Sequence, residues 1–149
     1  MSVASTLVQM CTINILGGFI MFEWKDEYET GVPHVDEQHV KLFEIGNNAY
    51  DLLTNNLSID KYDKILAIIE ELRDYAIFHF KSEEDYMLSI GYKKFLSHKV
   101  QHDEFIKKVN SIDYSRIDYG QNEYILELLQ FVHKWICEHI LISDQGYTQ

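Results

Sequence analysis

The chain has 149 residues, 46% of them apolar and 25% charged, which suits one domain with a real core and excludes a disordered chain. A formal charge of -11 with no basic stripe excludes a nucleic-acid binder, and no polybasic cluster marks an anionic membrane surface. One proline, Pro33, and seven glycines favour long helices over many short strands.

Residues 1–20 read as an extension of uncertain role ahead of a domain spanning 21–149. Leu7 to Met21 is apolar but carries Gln9, Thr12 and Asn14, and it is too short and too polar for a membrane span. The first basic residue is Lys25, so the basic start of a signal peptide is missing. Cys11 and Cys137 lie far apart and form no CxxC pair, which suits a reduced, cytoplasmic setting.

Four segments with helical spacing follow. The first runs from about Asp36 to Thr54, with His39, Leu42, Phe43, Gly46, Ala49, Tyr50 and Leu53 inward, and Asn55 and Asn56 end it. The second opens at Ser58 as an N-cap, and its stripe is Tyr62, Ile65, Ile69, Leu72, Ala76, His79, Glu83 and Tyr86. Gly91 separates it from the third, Tyr92 to Asn110, with Phe95, His98, His102, Phe105 and Val109 inward. Ser111 to Gln121 reads as a loop. The fourth, Asn122 to Ile142, turns Ile125, Leu128, Val132, Trp135, Ile136 and His139 inward. Narrow seams and short joints predict an all-α, antiparallel up-down four-helix bundle.

Histidine interrupts the greasy seam of every helix. His79 and Glu83 are four apart, as are His98 and His102, and at about 3.6 residues per turn each pair faces one small volume. A lone core histidine is usually satisfied by a hydrogen bond. Five of seven histidines on inner stripes with a buried glutamate differ, because each uncompensated polar group costs about 1–3 kcal/mol against a margin of about 5–15 kcal/mol. A metal removes that conflict. Six or more nitrogen and oxygen donors are too many for one structural zinc and suit iron ahead of manganese. His133 and His34 fall off the stripes and read as surface or loop residues. Asp144 lies about 140° from the face of His139 in a regular helix, so spacing leaves it open as a ligand.

These residues resemble the hemerythrin family, in particular its single-domain bacterial members. Trp24, Tyr28, Gly31 and the run Val35-Asp36-Glu37-Gln38-His39 are similar to the family's entry into its first helix. His79-Phe80-Lys81-Ser82-Glu83-Glu84 carries its His-x3-Glu, and His98-x3-His102 its third-helix pair. Trp135-Ile136-Cys137-Glu138-His139-Ile140, with Asp144 five beyond the histidine, resembles its fourth-helix signature. The extension before Met21 has no family counterpart.

The resemblance implies two iron ions (Fe2+/Fe3+) with a bridging oxo or hydroxo group. One would take His98, His102 and His139, the other His39 and His79, with Glu83 and Asp144 bridging. It implies an open position on the second iron, where dioxygen binds end-on as a hydroperoxide, in a dry pocket lined by Ile136, with Trp135, Phe43 and Phe80 as further candidates. The expected function is reversible dioxygen binding, as carrier, store, scavenger or sensor, and not enzymatic. The alternatives are a di-iron oxidase or peroxidase, or an iron-handling or nitric-oxide-binding protein. Dioxygen is the expected partner, with nitric oxide or peroxide beside it and no nucleic acid or membrane.

Overall fold

The computed structural model describes residues 22–55 and 57–148. The proposed extension 1–20, the boundary at Met21 and the stop at Asn56 lie outside them. The elements are α1 (Pro33–Asn55), α2 (Lys61–Ser89), α3 (Phe95–Asn110), α4 (Tyr114–Asp118) and α5 (Asn122–Ile142). One-turn 3-10 helices, Asp26–Tyr28 and Asp144–Tyr147, lie at either end of this series. The four long helices form the expected bundle, with α1 packed on α2 and α5, and α2 on α3. Among the described residues there is no strand, and no helix is long and apolar enough to cross a membrane.

The sequence explains the ends of these helices. Pro33 opens α1, where its fixed φ fits and its missing N–H costs nothing. Just before it, the Asp36 carboxylate accepts from the Thr30 N–H at 2.8 Å, the Thr30 hydroxyl at 2.7 Å and the Gly31 N–H at 3.1 Å. This clasp holds the chain's entry one turn ahead of His39. Gly91, at φ 63°, ends α2: its N–H reaches the Leu88 carbonyl, and the Tyr92 N–H reaches Met87 at 2.9 Å. That paired closure needs a left-handed residue, which glycine adopts without strain.

Three boundaries differ from the sequence reading. Ser58 is not the cap of α2, because residues 59–60 make a turn, closed by the Lys61 N–H on the Ser58 carbonyl, and Asp60 takes the cap position. Tyr92 to Lys94 also form a turn, so α3 starts at Phe95. The expected loop at Ser111–Gln121 contains α4, started by Asp113, which accepts from the Ser115 N–H at 3.1 Å. Its single apolar anchor, Ile117, is fully buried.

The interior is layered. One apolar cluster, including Ile65, Ile69, Ile117, Ile125 and Leu129, fills one end of the bundle. A second, including Phe43, Leu72, Phe80, Phe105 and Ile136, fills the middle. A small third one, Val32, Val35, Met87 and Tyr147, closes the other end. In two of the stripes a position is exchanged by one residue: Leu129 and Met87 are buried, whereas Leu128 and Tyr86 are half-buried. Tyr62, Phe95 and Trp135 are likewise only half-buried.

His133 corrects the sequence reading: it is only 4% exposed. The segment entering α1 lies across this second face of α5, so the Phe22 ring packs edge-on to His133 at 4.8 Å. Asn47 pins that segment by accepting from the Phe22 N–H at 2.7 Å and donating to its carbonyl at 2.9 Å. His34 is exposed as expected, although it belongs to the first turn of α1.

Because three bonds to Asp36 hold the entry to α1, Asp36→Ala should lower stability by about 1–3 kcal/mol in denaturant titration. An unchanged midpoint would mean that Pro33 and the apolar contacts of Val32 suffice to hold that turn.

Candidate metal centre

Each long helix contributes to one buried volume. α1 brings His39, α2 brings His79 and Glu83, α3 brings His98 and His102, and α5 brings His139. Asp144 joins them because α5 stops at Ile142 and the chain tightens into the 3-10 turn that begins at Asp144. That change of pitch removes the angular mismatch a continuous helix would impose. All seven side chains are buried, and Glu83 and Asp144 are completely so.

The donor atoms fall into two overlapping groups able to hold a metal ion. One is Glu83, His98, His102, His139 and Asp144; the other is His39, His79, Glu83 and Asp144. Asp144 divides its oxygens between them. Its Oδ1 lies 3.0 Å from His98 Nε2 and from His139 Nε2, and its Oδ2 lies 3.0 Å from His39 Nε2. Glu83 turns Oε2 toward both sides, 3.0 Å from His102 Nε2 and 3.7 Å from His79 and His98.

The opposite edges of three rings are anchored by hydrogen bonds. His79 Nδ1 donates to Gln38 Oε1 at 2.8 Å, His102 Nδ1 to Glu84 Oε1 at 3.0 Å, and His139 Nδ1 to Gln101 Oε1 at 3.0 Å. These acceptors are themselves fixed: Gln38 donates to the Ser82 hydroxyl, and the Ser143 hydroxyl donates to Gln101. Tyr147 donates its hydroxyl to Glu83 Oε1 at 2.6 Å. With Nδ1 committed as donor, each of these imidazoles presents a bare Nε2 lone pair inward.

The arrangement fits a pair of metal cations. His39 Nε2, His98 Nε2, Glu83 Oε2 and both Asp144 oxygens are buried without a hydrogen-bond partner. His102 Nε2 faces His139 Nε2 at 3.0 Å, two lone pairs that only a proton or a cation can reconcile. The donors are nitrogen and oxygen only, a set that suits iron.

The charges show the same conflict. Burial, then His39, depresses His79 to about 3. Burial alone would also lower His98, but the Asp144 and Glu83 carboxylates raise it to about 9. Burial and Asp144 push Glu83 up, yet His102 and His98 win and hold it down to about 2. Asp144 resists burial likewise and is held well below its usual range, chiefly by His139. Burial and both carboxylates push Tyr147 upward, so it stays a donor.

Of the four residues expected to line the dioxygen pocket at the His39/His79 position, Phe80 and Trp135 stack on histidines of the other group, and Phe43 and Ile136 lie in the central apolar cluster. Phe80 stacks on His102 at 4.0 Å with planes 7° apart and lies 5.7 Å from His79. Trp135 stacks on His139 at 4.5 Å. Phe43 sits behind Trp24, whose ring is 6.3 Å from His39. Ile136 is buried in the same central cluster. The sequence reading missed Gln38, Glu84, Gln101 and Tyr147. Each neighbours a ligating position in sequence or in the turn after Asp144, but an amide or acid beside a core histidine is no different in pattern from a solvated residue.

Comparison with known proteins places these residues in context. The family model described as hemerythrin HHE cation binding domain matches residues 30–148. The chain is similar to a bacteriohemerythrin of Clostridium acetobutylicum, with 58% identity over 127 residues, or 85% of this chain and 98% of that protein. A bacteriohemerythrin of Pseudomonas aeruginosa is 32% identical over 84% of this chain and 78% of its own length. A hemerythrin-like protein of Naegleria gruberi is 29% identical over 85% and 90% respectively.

After chelation, the protein should be most stable near pH 6.5. Below 6.5 the unfolded chain takes up a proton that His79 refuses until about 3, so stability falls with pH. Above 6.5 the contribution of protonated His98 is lost as pH rises through about 9. The depressed Glu83 adds a further loss between 4.5 and about 2. Urea midpoints measured across this range would contradict the assignment if they rose steadily from pH 6.5 to 9.

Proposed function

The chain belongs to the hemerythrin family, and on that premise we propose that it binds dioxygen reversibly at a non-haem centre of two iron ions. The observation that carries this reading is the pair of overlapping donor groups sharing Glu83 and Asp144. His98, His102 and His139 would hold one ion and His39 and His79 the other, with both carboxylates and a solvent-derived oxygen shared. The second position is thereby one imidazole short, and it is the side on which dioxygen would be taken. Two ferrous ions would supply the open coordination position and the electrons that dioxygen needs.

The rest of the work belongs to the chain's own residues. Gln38, Glu84 and Gln101 hold the outer N–H of their histidines, so the inner nitrogens stay aimed without reorganisation. Tyr147 restrains Glu83, which limits the ways that carboxylate can swing. Reversibility requires that water be kept away from the two-histidine side. Trp24, backed by Phe43, lies over His39 there at 6.3 Å, and buried Ile136 adds apolar bulk. Phe80 and Trp135 shield the three-histidine side by stacking on His102 and His139.

Protein loaded anaerobically with ferrous iron should hold two irons per chain and show an absorbance change that appears in air and reverses under vacuum. Sustained consumption of dioxygen or peroxide over many turnovers would instead assign an oxidase or peroxidase. Glu83→Ala should reduce iron retention from two ions to one or fewer, measured by metal analysis after desalting, and full retention would remove Glu83 from the shared position.

A further inference from the structure

The acceptors that anchor the histidines are not equivalent. His79 and His139 donate to neutral amides, Gln38 and Gln101, whereas His102 donates to the carboxylate of Glu84. A carboxylate can only accept, so His102 Nδ1 carries the proton. Phe80, stacked face to face on the ring at 4.0 Å, fixes the angle at which Nδ1 meets Glu84. Glu84 is half-buried at the base of a cleft between α2 and α3 lined by Ile77, Lys99 and Ile106. Lys99 approaches its other oxygen only to 3.7 Å and is paired more closely with Asp103, at 2.9 Å. The Glu84 carboxylate therefore lies closer to the imidazole, at 3.0 Å, than to Lys99, which divides its charge between two acids.

We propose that Glu84 is a positioning residue that strengthens His102 as a donor and so makes the His98/His102/His139 position the tighter of the two. The inference rests on the paired-metal reading above. An anionic partner on the outer N–H raises the basicity of the inner nitrogen, and removing such a partner typically weakens metal binding about 10–100-fold. At the His39/His79 position the anchor of His79 is the neutral amide of Gln38, which gives no such gain. Of the three anchored histidines only this one has an anionic partner, and it belongs to the position with three imidazoles.

The test uses cobalt(II) added to the chelator-treated full chain, followed by its visible absorption. Paramagnetically shifted imidazole resonances identify which histidines surround each ion. Glu84→Gln keeps an acceptor and removes the charge. It should weaken binding at the three-histidine position about tenfold and leave the two-histidine position within about twofold. Adding Gln38→Glu to that variant should tighten the two-histidine position, since the Ser82 hydroxyl can turn to donate. Equal weakening at both positions, or no change at either, overturns the inference while leaving the paired-metal reading intact. A wild-type chain that takes up no second cobalt ion overturns both.

Discussion

Two carboxylates with no access to water share one small volume with five imidazoles, and the architecture follows from holding them there. Glu83 and Asp144 repel each other and would each prefer solvent. Only a ring of donors and cations makes their burial tolerable. That requirement explains why the bundle needs ligands from every long helix and why two of those helices repeat a spacing of four. It also explains why α5 must end at Ile142, two residues before Asp144. A regular extra turn would carry that carboxylate out of the volume it shares with His39, His98 and His139.

Around this polar layer the molecule is built in shells of decreasing constraint. Five inner atoms, His39 Nε2, His98 Nε2, Glu83 Oε2 and both Asp144 oxygens, lack hydrogen-bond partners. Next come the amides, the acid and the phenol that fix them, the two amides fastened in turn by Ser82 and Ser143. Beyond these lie stacked aromatics on the α3 and α5 side and the Trp24 segment on the α1 side. The two donor groups are thus unequal in imidazoles, with three on one side and two on the other. A carboxylate anchor sits on the first side and a neutral amide on the second.

Much of this was legible in the sequence for a physical reason. Pairs four apart on an apolar stripe have few alternative explanations, so His79, Glu83, His98 and His102 stand out against any helix register. Asp144 was not decidable from spacing, because its position depends on a change of helical pitch, and pitch leaves no mark on a pattern of residue types. His133 was misjudged because a single-stripe picture of α5 assumes one buried face. The segment before α1 buries a second face, which no periodicity within α5 can announce. The helix at Tyr114–Asp118 was missed because a five-residue element with one buried anchor, Ile117, leaves too short a stripe to detect.

The same groups that would bind cations carry opposing burial and charge terms when cations are withheld, so loading would stabilise the folded chain. A ligand that binds only the folded chain stabilises it by an amount that grows with the logarithm of its concentration over its dissociation constant. The apolar clusters on either side of the polar layer do not depend on it: Ile65, Ile125 and Leu129 pack at one end, and Val35 and Met87 at the other. The bundle's apolar packing is thus separate from the centre, and the unpartnered ligand atoms are confined to one stratum. A site held rigid by its surroundings and not by its own contents keeps its geometry through cycles of filling and release, which reversible binding of a small molecule requires.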